Sequence, residues 1–164
     1  MRIFIALLVA LAVAGPVHAA ELASLTFAET YRPATVIETE APSSPAGGRV
    51  LRIEAPHSAL ICLGEQAGLH VRNEVIWYQA RLKVAGATGG GAFLEMWCES
   101  ADGKRFFSRG LDQMVKEDAD WTEVRIPMRV DQGVEVVRVI MNVVLDGPGK
   151  VWVADVRLSS EPLP

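Results

Sequence analysis

The chain has 164 residues, half of them hydrophobic, and a formal net charge of −4 at pH 7. That length suits one domain around one core and is too short for two. A mildly acidic balance with no basic run argues against nucleic acid and anionic membrane surfaces as partners.

The N-terminus opens with Arg2 and an apolar run from Ile3 to Ala14, broken by Gly15-Pro16 ahead of Val17-His18-Ala19-Ala20. This is the pattern of an export signal. The run is shorter than the roughly 18 to 20 apolar residues of a spanning helix. Cleavage after Ala19 places Val17 and Ala19 at the two recognised positions, and cleavage after Ala20 is the alternative. The expected organisation is therefore a signal peptide over 1–19 and a single domain over 20–164. Its expected destination is the periplasm or the exterior, with no membrane anchor left after cleavage. No cysteine follows the apolar run to carry a lipid.

The remainder reads as β-structure. Segments rich in Val, Ile and aromatics alternate with Gly, Pro, Asn and Asp clusters. Strands are expected over Leu22–Phe27, Thr35–Glu38, Arg49–Glu54, Ala59–Leu63 and Glu74–Val84. Further strands follow at Ala92–Glu99, Arg105–Ser108, Thr122–Val130, Glu135–Leu145 and Lys150–Leu158. Loops fall at Ala41–Gly48 and Gly86–Gly91, where prolines and paired glycines stop a strand. The only helical signal is a short turn around Leu111–Glu117.

Apolar residues recur at every second position. Tyr78, Ala80, Leu82 and Val84 oppose Trp77, Gln79, Arg81 and Lys83. Leu94, Met96 and Cys98 oppose Phe93, Glu95, Trp97 and Glu99. Val124, Ile126, Met128 and Val130 continue the pattern, as do Val139, Met141, Val143 and Leu145. A period of two puts each set on one side of a sheet. Two sheets packed face to face bury such sets, so the expected fold is an all-β antiparallel sandwich.

Cys62 and Cys98 leave two options open in an oxidising compartment: a disulfide, or two thiols acting as small apolar residues. Neither stands in a Cys-x-x-Cys or His-rich pattern, which argues against zinc and redox catalysis.

The stretch Leu145-Asp146-Gly147-Pro148-Gly149-Lys150-Val151-Trp152-Val153-Ala154-Asp155-Val156-Arg157-Leu158 is the most distinctive. It resembles the closing hairpin of galactose-binding-like jelly rolls, the fold of many carbohydrate-binding modules. Those often end in Gly-x-Val-Trp-x-Asp-Asp-Val-x-Leu; here Ala154 replaces the first Asp. Trp121 and Pro127 match a Trp-x-x-x-x-x-x-Pro segment of the same family. The resemblance extends from about Arg49 to Leu158. It implies a jelly-roll binding module rather than an enzyme, with a carbohydrate such as an envelope glycan as partner. Many related modules hold a structural calcium ion through an acidic residue on the last strand. Asp155 stands at the matching place, with Glu29 as a second ligand. Calcium wants six to eight oxygens, and no dense acidic loop supplies them.

Sugars present apolar C–H faces to flat rings and hydroxyls to polar neighbours. Trp77 and Trp97 lie on the polar faces of their strands, accompanied by Gln79, Arg81 and Glu95. If those strands share a sheet, the five form a carbohydrate platform. The alternative is a structural or protein-interaction module with both rings covered. Trp121 and Trp152 are read as structural. Catalysis has little support. His57 and His70 lie in loop-like segments, and no nucleophile, zinc-protease or phosphate-cradling motif occurs. Glu95 and Glu99 are about 13 Å apart by strand rise, wider than glycoside hydrolysis uses.

Overall fold

The computed structural model describes residues 19–24, 50–116 and 119–163. The signal segment up to residue 18, the expected strand Thr35–Glu38, the loop Ala41–Gly48 and Glu29 lie outside the described residues. The described strands are β1 (Ala20–Ser24), β2 (Leu51–Ala55), β3 (Ala59–Val71), β4 (Glu74–Ala85) and β5 (Gly91–Ser100). They continue with β6 (Arg105–Arg109), β7 (Val115–Lys116), β8 (Ala119–Val130), β9 (Val136–Asp146) and β10 (Gly149–Pro162).

They form two antiparallel sheets. One runs β1-β10-β4-β8, with β2 also paired to β10. The other runs β3-β9-β5-β6, with β7 paired to β5. The chain crosses between the sheets from β2 to β3, β3 to β4 and β4 to β5, and again from β7 to β8, β8 to β9 and β9 to β10. This is the expected sandwich. Among the described residues no helix is long and apolar enough to cross a membrane.

The alternation builds the core. Leu82, Val84, Leu94, Met96, Val124, Ile126, Val139, Met141 and Val143 are all buried between the sheets. Tyr78 is also fully buried, and its hydroxyl donates to the Asn142 backbone oxygen at 3.2 Å, tying one sheet to the other. A buried phenol needs such a partner.

Three local features depart from the expected elements. β3 continues to Val71, eight residues beyond Leu63, by absorbing register shifts at Cys62/Gly64 and Ala67/Val71. The helical turn shrinks to a 3₁₀ turn over Leu111–Gln113. Its Gln113 side chain accepts from the Arg125 backbone N–H at 3.1 Å and donates to the Arg125 carbonyl at 2.9 Å. That pairing occupies part of the open edge of β8, and Pro127, which has no N–H, blunts it further. Third, β10 carries an irregularity between Ala154 and Arg157, where Asp155 takes φ 54°. The Gly-Pro-Gly hairpin forms as expected, and Gly147 at φ 93° supplies the left-handed position.

The two cysteines are not bonded. Cys98 lies in the core on β5 and Cys62 is exposed on β3, with β9 between their strands. Their thiols lie on opposite faces of one sheet, so no disulfide can close. Burial pushes the Cys98 thiol up to about 12, which makes it an inert apolar filler.

Candidate functional site

The five expected platform residues are divided between the two sheets. Trp77, Gln79 and Arg81 lie on the outer face of β4, in the first sheet. Glu95 and Trp97 lie on the outer face of β5, in the second. The two tryptophans therefore face away from each other, and no single platform contains both.

On the first sheet Trp77 and Arg81 are engaged by neighbouring side chains. The Arg125 guanidinium sits over the Trp77 ring at 3.7 Å, and the Trp77 indole N–H donates to Glu161. Glu161 in turn lies 3.8 Å from Arg125. Arg81 is 3.8 Å from both Glu123 and Asp155. Asp155 thus faces a guanidinium, and no group of three or more metal-ligating side chains occurs among the described residues. The calcium expectation at Asp155 has no ligand set to support it. With its ring capped, Trp77 serves this sheet's stability. Trp77→Ala is expected to cost about 1 to 2 kcal/mol through lost apolar area and cation–π contact. Thermal melts of the variant against wild type check this.

The outer face of the second sheet is organised in rows, because directly paired residues of adjacent strands share a face. Leu60, Val144 and Phe93 form an apolar row. Cys62, Asn142, Glu95 and Arg109 form a polar one. Ile140, Trp97 and Phe107 form a mostly aromatic row. Arg138, Glu99 and Arg105 form a charged row. Strands are spaced about 4.8 Å apart, so the aromatic row extends roughly 10 Å across β9, β5 and β6.

Glu95 is the hub. It is only 1% exposed although it points away from the core. Its Oε1 accepts from the Trp97 indole N–H at 2.8 Å and from the Asn142 amide at 3.3 Å. Its Oε2 accepts from the Arg109 Nε–H at 2.5 Å. Three donors hold the carboxylate, so it orients its neighbours rather than meeting a ligand. Trp97 is fixed by this bond and by its contact with Phe107, with ring centroids 5.2 Å apart and planes tilted by 40°. The Arg109 guanidinium lies 5.0 Å from the Phe107 centroid. Phe107 itself is 56% exposed. The result is a preorganised aromatic step with its tilt set from below.

Phe107, Arg109 and Asn142 were not among the residues singled out from sequence. The signal for the first two was present in Arg105-Phe106-Phe107-Ser108-Arg109, where period two puts Arg105, Phe107 and Arg109 on one face. What sequence could not supply was the pairing of β6 with β5, which brings that face alongside Trp97.

A separate cleft of about 450 Å³ lies at one end of the sandwich, lined in part by Arg72, Asp102, Lys104, Phe106 and Glu135. Its charges are paired among themselves. His70 and Arg72 bond Glu135, while Lys104 and Ser100 bond Asp102 at 2.6 and 2.5 Å. The Lys104 and Ser100 bonds hold the Asp102 carboxyl down at about 2, against an ordinary 3.8. A depressed folded-state value means these bonds contribute fully above pH 3.8 and are lost as pH falls through about 2. An NMR titration of Asp102 should show that midpoint, and Lys104→Met should move it back up.

No family model and no curated protein matches the sequence. Solved structures do match it. The CBM22-1 xylan-binding domain from Paenibacillus barcinonensis is 15% identical, with 92% of this chain and 100% of that chain covered and a TM-score of 0.56. The CBM22-1–CBM22-2 tandem from the same organism is 13% identical at a TM-score of 0.58, covering 93% of this chain and 48% of that one. A cyclase from Fischerella sp. TAU is 13% identical, with 74% and 68% covered and a TM-score of 0.51. At these identities the likeness is one of fold. The chain has the antiparallel β-sandwich fold seen in carbohydrate-binding modules.

Proposed function

We propose that residues 20–164 are an exported, non-catalytic carbohydrate-binding module whose ligand lies on the outer face of the β3-β9-β5-β6 sheet. The observation that carries this is the Trp97–Phe107 step locked by buried Glu95. Flat rings with fixed tilt, bordered on both sides by polar rows, suit a stacked sugar with its hydroxyls bonded at the edges. Arg109 and Arg105 are exposed donors beside Phe107, 45% and 62% exposed in their side chains. The xylan-binding domain of like fold is consistent with this reading. So is the engagement of the face's acids: Glu95 is saturated, and Glu99 lies 3.3 Å from Arg105 and 3.8 Å from Arg138. Glu65, on the same face, is bonded by Arg138, so among the described residues no unpaired carboxylate couple on this face is set up for acid–base work. An envelope glycan in the periplasm or outside the cell is the proposed partner, with no role for nucleic acid or a membrane anchor.

A screen of residues 20–164 on a glycan array tests the proposal. Phe107→Ala on the best ligand should then weaken binding about fivefold or more, the equivalent of about 1 kcal/mol of lost stacking. Because Phe107 is exposed, its stability effect should stay within about 0.5 kcal/mol. The second reading is a protein-interaction module. It is favoured by the solvent-facing apolar groups Leu60 and Phe107 on one face, 57% and 56% exposed. An array on which no glycan binds would favour it.

A further inference from the structure

We infer that the sheet face selects hexopyranose glycans, sugars with an exocyclic hydroxymethyl group, over pentose glycans. This rests on the carbohydrate reading above and specifies its substrate class. A hollow of about 30 Å³ opens beside the aromatic row, lined by Trp97, Cys98, Glu99, Arg105 and Ile140. A cavity needs roughly 10 to 15 Å³ to hold one water, so this one takes about two non-hydrogen atoms and no ring. A hydroxymethyl group is one carbon and one oxygen.

The lining matches those two atoms. Trp97 and Ile140, neighbours across β5 and β9, offer apolar surface to the carbon. Glu99 and Arg105, paired at 3.3 Å, offer an acceptor and donors to the hydroxyl. The position fits as well. Glu99 lies two residues along β5 from Trp97, about 7 Å by strand rise. That is where a substituent at the edge of a ring stacked on Trp97 and Phe107 would project. A pentopyranose lacks the group, so its binding leaves the hollow to water and forgoes both contacts.

Isothermal titration of residues 20–164 with β-1,4-linked gluco-, manno- and galactohexaose, against xylohexaose, tests the inference. Xylohexaose has the glucohexaose ring without the hydroxymethyl groups. At least one hexose oligomer should bind about tenfold or more tightly than xylohexaose, the scale of one hydrogen-bonded hydroxyl with its methylene. Ile140→Phe, which fills the hollow from one side, should bring that ratio close to one. Equal or tighter binding of xylohexaose by the wild-type protein would overturn the inference and leave the carbohydrate reading standing. Failure of all four to bind while another glycan binds on the array would overturn the inference alone, and failure of all four together with an array on which no glycan binds would overturn both.

Discussion

Leu82→Ala is expected to lower the unfolding free energy by about 2 to 5 kcal/mol. Leu82 is fully buried in the middle of β4, paired with Val153 of β10 and Thr122 of β8. Its side chain fills the space between the sheets, and its strand is held on both edges by hydrogen-bonded ladders. A strand so held cannot collapse inward to refill a void, so the transfer and cavity terms both apply. Urea denaturation reads the loss directly, with the slope unchanged if only stability moves. Leu60→Ala is the internal control. At 57% exposure on β3 it should change stability little. A Leu82→Ala loss below about 1 kcal/mol would place this residue outside a packed core.

Glu95→Ala is expected to cost about 2 to 3 kcal/mol and to abolish glycan binding as well. The stability loss follows from the donors left behind. The Asn142 amide is attached to a residue only 4% exposed, and the Trp97 N–H is half-buried, so neither easily regains a partner from water. Arg109, 45% exposed in its side chain, can turn outward, which keeps the loss below that of a fully enclosed pair. The binding loss has a different origin: without the carboxylate the indole of Trp97 and the guanidinium of Arg109 lose their fixed directions. Glu95→Gln separates the two effects. It keeps the shape and one acceptor oxygen but turns an amide group toward donors, so its stability should fall between wild type and Glu95→Ala. Trp97 fluorescence should shift in both variants. Wild-type stability in Glu95→Ala would remove the buried hub from the account.

The sandwich was legible in sequence because burial between sheets imposes a strict period of two. Val124, Ile126, Val139 and Met141 could go nowhere else. Register irregularities were not legible. Gly64 and Gly68 let β3 continue past the expected end, but nothing local distinguishes a bulge glycine from a loop glycine. The site was half legible. Trp97 and Glu95 stood out as large or charged residues on the outward face of an apolar strand. Trp77 looked equivalent by the same rule, yet β4 and β5 belong to different sheets, and local pattern does not reveal which strands pair. Arg125 and Glu161, which cover Trp77, are 48 and 84 residues away in sequence. The same limit applies to Cys62 and Cys98, where an even pair in a chain with an export-signal pattern suggests a bridge that the separation by β9 forbids.

The most direct test of the glycan face is the response of individual tryptophans. In a ¹H–¹⁵N spectrum of residues 20–164, the indole N–H of each of the four tryptophans gives its own signal. Titration with the best glycan from the array should move the Trp97 signal progressively. The Trp77 signal, on the opposite sheet under Arg125, should stay in place. Movement of Trp77 with Trp97 unchanged would put the ligand on the wrong sheet and contradict the account.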